Sequence, residues 1–399
     1  MPEFQDVSDP AIYQQDAWRP IFQEMRAQGP IHFCPDSAYG PYWSVVRYQD
    51  IMAVELDHET YSSKRGGIQL LDQPEGTETP SFIRMDPPEH TGPRRTVAPI
   101  FRPSIMAEME TDIRRRTAEV LDDLPRGETF DWVDRVSIEL TTAMLAVLFD
   151  FPWEDRRKLT YWSDLAVTNY DAPDALVRSR TEQLEELGKM AAYFKTLWDA
   201  RAAAPPKFDL ISMMAHSEAT KDLSPQALIG TLGLLIVGGN DTTRNSMSGS
   251  LLALDAFPDE MAKLKRDLSL VTKLVPEIIR YHTPVIHMRR TTTRPVELHG
   301  HSIPEGAKVV MWYLSGNFDD AEIDAPEMFS LDRERPRRHL SFGAGVHRCV
   351  GDRLAELQLK VLWEEILARD LEIEIMAPAE YAYSNFLRGI VNLPVRIAS

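Results

Sequence analysis

Residues 338–357 read RHLSFGAGVHRCVGDRLAEL. Cys349, one of only two cysteines in the chain, stands there among Gly343, Gly345 and Gly351, with His347 and Arg348 just before it. Beyond Gly351, Leu354, Leu357, Val361 and Leu362 recur at helical spacing, and Leu359 and Trp363 make a second side apolar. That pattern predicts a buried helix starting directly after the glycine. A thiolate ahead of a helix N-terminus is stabilised by unpaired amides and by the helix dipole. The glycines permit sharp turns and close backbone approach, so N–H groups can point at sulfur.

The possible uses of such a cysteine differ in what else they require. Zinc wants about four ligands, and the other cysteine, Cys34, is far off in sequence. A cysteine nucleophile needs a histidine base, and a catalytic pair is seldom two residues apart, as His347 and Cys349 are. A buried structural cysteine and an axial thiolate ligand to haem iron remain.

Composition narrows the classes. With 399 residues, the chain suits one large domain or two packed lobes. Lys plus Arg is 44 against 61 Asp plus Glu, a formal charge of −17, which makes the chain a poor candidate for general nucleic-acid binding. The opening MPEFQDVSDPAIYQQDAW has neither a basic nor an apolar segment of a secretory signal. The longest apolar run, around Leu232–Val237, is far short of the ~18 residues of a membrane span. Two distant cysteines form no disulfide framework, so a reducing cytoplasm is expected.

Most of the chain reads as helix, for example 107–124, 182–203 and 353–368. Strand-like pieces are few: 42–47, 285–290, 296–298 and 308–313. The proline-rich stretch 74–103 reads as a long loop leading into a helix, and long ordered loops often wall a ligand. No repeat or low-complexity linker divides the chain. The expectation is a single, mainly helical α+β domain over residues 1–399, with a small sheet lobe.

Ser224 and Pro225 are a good N-cap and first residue for a long helix that Pro258 ends. About 32 residues would span roughly 48 Å. Its first half is apolar all round, then GGNDTT (238–243) interrupts it. Glycines here cost about 1 kcal/mol each relative to alanine, and Asp241 is a charge in a buried neighbourhood. A kink opening space for a ligand, with Asp241 and Thr242 handling protons, is the functional reading. Thr242 could instead bond back to a carbonyl. Further on, Glu277 and Arg280 share a helix face at i, i+3, a spacing that means little alone.

Taken together, these pieces resemble a known family. Phe342-Gly343-Ala344-Gly345-Val346-His347-Arg348-Cys349-Val350-Gly351 is similar to the haem-binding signature of cytochromes P-450. GGNDTT resembles the oxygen-activation motif of that family's central helix, and EIIR (277–280) its Glu-x-x-Arg. The motifs fall in the family's order over nearly the whole chain. The resemblance implies a triangular helical prism around a buried haem b, with Cys349 as the iron ligand and Phe342, Gly343 and Gly351 shaping the loop. It assigns His90, Arg94, Arg290 and His347 to the haem propionates, with Arg289 the rival of Arg290. Glu277 and Arg280 would join Arg333, or else Arg335, to hold the proximal loop. Asp241 and Thr242 would deliver protons while O2 is consumed. Electrons would come from NAD(P)H through a ferredoxin and its reductase, with Arg102, Arg115, Arg348 and Arg353 as candidates for docking an acidic partner. A monomer is expected.

LLIVGGNDTTRNSMSGS (234–250) and RRHLSFGAGVHRCVGDRLAELQLKVLWEEIL (337–367) resemble the soluble bacterial alkane hydroxylases of the family, with Asn240 and Arg244–Met247 as the distinguishing residues. This implies terminal oxidation of medium-chain n-alkanes or fatty acids. Leu70, Leu71, Leu165, Val167, Leu234, Val237, Gly238, Ile286, Phe386 and Leu387 are expected to line the apolar substrate pocket, with Ile68 and Phe82 nearby. The alternatives are a terpenoid or steroid hydroxylase of the same family and, more remotely, a haem-based gas or redox sensor.

Overall fold

The structure, a computed structural model, describes residues 6–398. Residues 1–5, part of the N-terminal stretch read above, and residue 399 lie outside them. The described residues group into two compact units, each assembled from three stretches of chain. The first takes the chain up to Gln73, Asn245–Cys349 and Ala377–Leu393; the second takes Pro74–Arg244, Val350–Met376 and the chain from Pro394.

The first unit is built on a five-stranded sheet. Its order is Ile31–Cys34, Tyr42–Val45, Lys308–Met311, Met288–Thr292, Tyr61–Ser62. Only the pairing of Tyr42–Val45 with Lys308–Met311 is parallel. Both of these strands sit inside the sheet and are almost wholly buried, as an interior strand covered on both faces must be. Trp18, Phe22, Val310, Trp312 and Phe318 form the core behind them. Trp312 is enclosed because its indole N–H has an acceptor, Ser44 Oγ at 2.9 Å. The helix Val271–His282 belongs to this unit and carries Glu277 and Arg280, both buried.

The second unit is helical. Pro103–Asp122, Glu139–Phe149, Arg157–Ala166, Arg180–Ala202 and Asp352–Ala368 contribute to one apolar core that includes Leu145, Phe149, Phe194, Leu232, Ile236, Leu357 and Val361. Arg114 ties Pro103–Asp122 to Asp352–Ala368 through Glu364 at 2.5 Å and Glu365 at 2.9 Å. A small antiparallel sheet places Pro394–Ile397 between Thr129–Asp131 and Ile373–Ile375.

The long helix is Pro225–Ala256, and it runs unbroken through GGNDTT. Ser224 Oγ accepts the Ala227 amide at 3.2 Å, which is the expected cap. Pro258 opens the next helix, Pro258–Arg266. The expected strand 285–290 begins later, at Met288. Val285 forms only an isolated bridge with Leu387, and the Ile286 amide bonds to Phe386 O at 2.9 Å. The 74–103 stretch is less of a loop than it reads. It holds the turn Phe82–Arg84, the helix Thr91–Val97 and the turn Ala98–Phe101. Among the described residues no helix is long and apolar enough to cross a membrane.

Candidate functional site

The residues singled out in the sequence fall in both units. In the first unit, the cysteine loop closes on itself: the Cys349 amide donates to Phe342 O at 2.8 Å. Gly343 and Gly345 turn it at φ of +64° and +62°, in the left-handed region. A Cβ at Gly345 would lie 2.5 Å from Glu55 O, so the backbone itself packs where a side chain would start. Cys349 emerges exposed, whereas Cys34 is buried. Phe342 and His347 are half-buried, and the Arg348 guanidinium lies 5.8 Å from the Phe342 ring centre.

A buried ionic cluster anchors the chain leading into this loop. Arg280 grips Glu277 with two bonds, at 2.8 and 2.7 Å. Arg333 Nε reaches both Glu277 oxygens at 2.8 Å, so it is Arg333 and not Arg335 that completes the cluster. The remaining guanidinium donors go to backbone carbonyls: Arg280 to those of Asn317, Pro326 and Met328, Arg333 to that of Asp324. Two cations around one enclosed carboxylate are tolerable because all five Arg280 donors have acceptors and the outer nitrogens of Arg333 reach solvent. Asn317 extends the grip by accepting the Leu340 amide and donating to Ser341 Oγ, which itself bonds Ile279 O.

Arg290 is enclosed and paired with Glu55 at 3.1 Å. Tyr313 also donates its hydroxyl to Glu55, and burial together with that carboxylate pushes the phenol well above its usual range. Arg289, the rival, pairs with Asp72 at 2.5 Å. Among the pocket candidates of this unit, Leu70 and Ile286 are corrections. Both are fully enclosed in the core with Trp312 and Phe318 and have no surface left to face a ligand. Leu71 is 49 % exposed. Leu387 is buried, and Phe386 is half-buried against His287, ring centres 5.6 Å apart.

In the second unit, His90 and Arg94 stand one turn apart on the helix Thr91–Val97, His90 at its cap, so both side chains share a face. His90 is buried with its ring edge-on to Phe82 at 6.4 Å. Asp241 is fully enclosed on the long helix. Arg244, one turn on, reaches Asp241 Oδ1 at 2.9 Å and Asp164 Oδ1 at 2.5 Å. Burial pushes the Asp241 carboxyl up to about 6, against the pull of Arg244 and with the push of Asp164. Asn240 donates to Asp241 Oδ1 at 3.3 Å and is itself oriented by the Thr141 hydroxyl at 2.7 Å. Asp241 is enclosed, and the nearby Ser163 hydroxyl pulls its carboxyl down as a donor. Thr242 bonds back to Gly238 O at 2.9 Å.

Leu165, also expected in the pocket, is fully enclosed in the helical core and is a further correction. Val167, Leu234 and Val237 are half-buried and Gly238 is exposed, as surface able to face a ligand must be. At Gly351 a Cβ would meet nothing nearer than Phe101 at 3.7 Å, so that position does not demand glycine sterically. Arg244, Asp164 and Glu55 were not singled out as site residues from sequence. Arg244 had a signal, its i+3 spacing from Asp241. Asp164 and Glu55 had none, since their partners are distant in sequence.

Taken unit by unit, the donors suit a thiolate-ligated haem: the first offers one exposed sulfur on a loop held by buried ionic contacts, and the second a His–Arg pair on one helix face, of the kind that binds carboxylates. Comparison with known proteins agrees. Residues 175–377 match the family model described as Cytochrome P450. Linalool 8-monooxygenase of Pseudomonas putida is 32 % identical, covering 98 % of both chains. Putative cytochrome P450 126 of Mycobacterium tuberculosis is 34 % identical over 94 % of this chain and 93 % of its own. Among solved structures, cytochrome P450-153 from Novosphingobium aromaticivorans is 51 % identical with a TM-score of 0.92, covering 98 % of this chain and 99 % of that one. CYP153D17 from Sphingomonas sp. is 49 % identical with a TM-score of 0.93, covering 99 % of both.

Proposed function

The chain belongs to the cytochrome P450 family, and on that premise we propose that it hydroxylates the terminal methyl of medium-chain n-alkanes or fatty acids. A ferredoxin and its NAD(P)H-dependent reductase, working in the cytoplasm, supply the electrons in this reading. The fold and the general class follow from the family: it is a haem-dependent monooxygenase with the P450 fold. Bound haem supplies O2 activation, so that one oxygen atom enters a C–H bond and the other leaves as water with two electrons and two protons.

The chain's own residues set the conditions for that chemistry. Cys349 offers the sulfur, and the Glu277–Arg280–Arg333 cluster fixes the loop that presents it. His90, Arg94 and His347 would hold the propionates. Arg290 is directed to Glu55 and could at most share its charge. Asp241, with a carboxyl near 6, can hold a proton on Oδ2 and release it around neutral pH. Arg244 bridges it to Asp164, whose side chain is partly exposed to solvent. Val167, Leu234 and Val237 offer an alkyl chain apolar surface and limit stray water.

The observation that carries the substrate reading is what the group-specific residues do. Asn240 is oriented by Thr141, Arg244 bridges Asp241 and Asp164, and Asn245 accepts the Ile390 amide at 2.8 Å. A primary C–H is stronger than a secondary one, so terminal attack requires positioning. The test is a spin-state titration with alkanes and fatty acids of graded length, followed by product analysis with octane, a fatty acid and a terpenoid. Terminal alcohols from the linear chains support the reading; turnover of the terpenoid alone sinks it. The likeness to a linalool 8-monooxygenase makes a terpenoid the second reading.

A further inference from the structure

The turn Phe82–Arg84 in the second unit carries a cation without a counter-charge. Phe82 and Met85 pack into the helical core with Leu228, Ile229, Leu232 and Leu234 of the long helix. Just upstream, the Thr79 and Pro80 carbonyls lie on Gly230, where a Cβ would come within 2.3 Å of Pro80 O. The turn is therefore held against the first half of the long helix. Arg180 straps the same loop: it donates to Thr77 O at 2.7 Å, Thr79 Oγ1 at 3.4 Å and Gln183 Oε1 at 2.5 Å. Its donors thus meet neutral acceptors, and Glu78 acts on it at longer range.

Arg84 is placed differently. Its guanidinium makes no ion pair or hydrogen bond among the described residues, and the charge acting on it is the like charge of Arg180. Burial, then that repulsion, push it down to about 10, so it is still a cation at neutral pH. This occurs in a chain with 61 acidic side chains against 44 basic ones, where counter-charges are abundant. A half-buried cation with a second cation beside it is costly until an anion completes it.

We propose that Arg84 anchors the carboxylate of a fatty acid whose far methyl is the carbon hydroxylated. The inference rests on the terminal-hydroxylation reading above and narrows its substrate class from alkanes to acids. A guanidinium is a planar fork that matches a carboxylate with two parallel bonds. From Gly230, where the loop crosses, to Asp241 is eleven residues, or about 16 Å of helix, the reach of a medium-length acyl chain. The half-buried Leu234 and Val237 lie between.

The experiment compares dodecanoate, methyl dodecanoate and dodecane by the haem spin-state shift in the holoenzyme. Wild type, Arg84→Gln and Arg84→Lys are titrated alike. Wild type is expected to bind the acid more tightly than the ester. Arg84→Gln should lower the ratio of acid to ester affinity about 10- to 100-fold, the range of a charge-assisted bond, and Arg84→Lys should recover part of it. The ester titration shows whether each variant still takes up an alkyl chain. If ester and dodecane bind and yield terminal alcohols while the acid-to-ester ratio ignores residue 84, the anchor is refuted and the terminal-hydroxylase reading stands. If none of the three alters the spin state in wild type, both fall.

Discussion

Asp241 is a side chain whose surroundings work against its charge. It is fully enclosed, and its carboxyl is raised to about 6 from an ordinary 3.8. A raised carboxyl means that the folded chain holds its proton more tightly than the unfolded chain. The stabilisation is complete below about 4 and is lost as pH rises through about 6. Wild type should therefore lose up to about 3 kcal/mol relative to Asp241→Asn between those pH values, with a flat difference above 7. Thermal unfolding of the two proteins across pH 4–8 measures it; a pH-independent difference would show the carboxyl unshifted. At Gly345, φ is +62° and Glu55 O occupies the space of a Cβ. Alanine there should cost more than the ~1–3 kcal/mol of a strained backbone alone and impair haem retention. At Gly351, φ is −98° and the nearest atom is 3.7 Å away, so alanine should cost under about 1 kcal/mol in the same melting assay. Cys349 and the two turn glycines were readable because a short sequence pattern encodes them. The enclosure of Leu70, Leu165 and Ile286 was not, because an apolar side chain reads alike in a core and in a ligand wall.

At the scale of elements, the helix Val271–His282 and the loops it holds behave as one piece. Removing the Glu277 carboxylate leaves Arg280 as an uncompensated enclosed cation and takes the counter-charge from the partly buried Arg333. Glu277→Gln should cost about 3–5 kcal/mol and release haem on gel filtration. Arg335→Ala, which touches none of these bonds, should stay within about 0.5 kcal/mol. Equal losses from the two variants would mean that the cluster does not hold the loop. The long helix makes a second prediction. Leu234 is half-buried and packs against the helical core, so Leu234→Ala should widen the apolar surface and move product from the terminal toward subterminal alcohols. An unchanged ratio on gas chromatography would remove Leu234 from the substrate's path. Helix starts were legible through local chemistry, as the Ser224 cap shows. The strand Met288–Thr292 was misplaced by three residues because its register depends on Lys308–Met311 and Tyr61–Ser62, far away in the chain.

For the whole molecule, the excess of acidic residues was plain from composition. The grouping into two units was not, because each is assembled from separated stretches that no linker marks. If haem binds the folded chain alone, it stabilises by mass action, about 2.7 kcal/mol at a hundredfold excess over its dissociation constant. The haem-free protein should melt lower, by a margin that grows with added haem. Cys349→Ser should retain haem poorly and lose the red-shifted carbon-monoxide band of a sulfur-ligated iron. Persistence of that band in the serine protein would remove Cys349 from the iron.

The strand Pro394–Ile397 is the middle member of its small sheet, with Thr129–Asp131 on one side and Ile373–Ile375 on the other. Neither outer strand has its partner until the middle one has been made, so this sheet closes only after Pro394–Ile397 is synthesised. A tag or fused reductase joined after residue 397 would leave the pairing whole, whereas a truncation before Pro394 would strip both neighbours of their hydrogen-bonding edge at once.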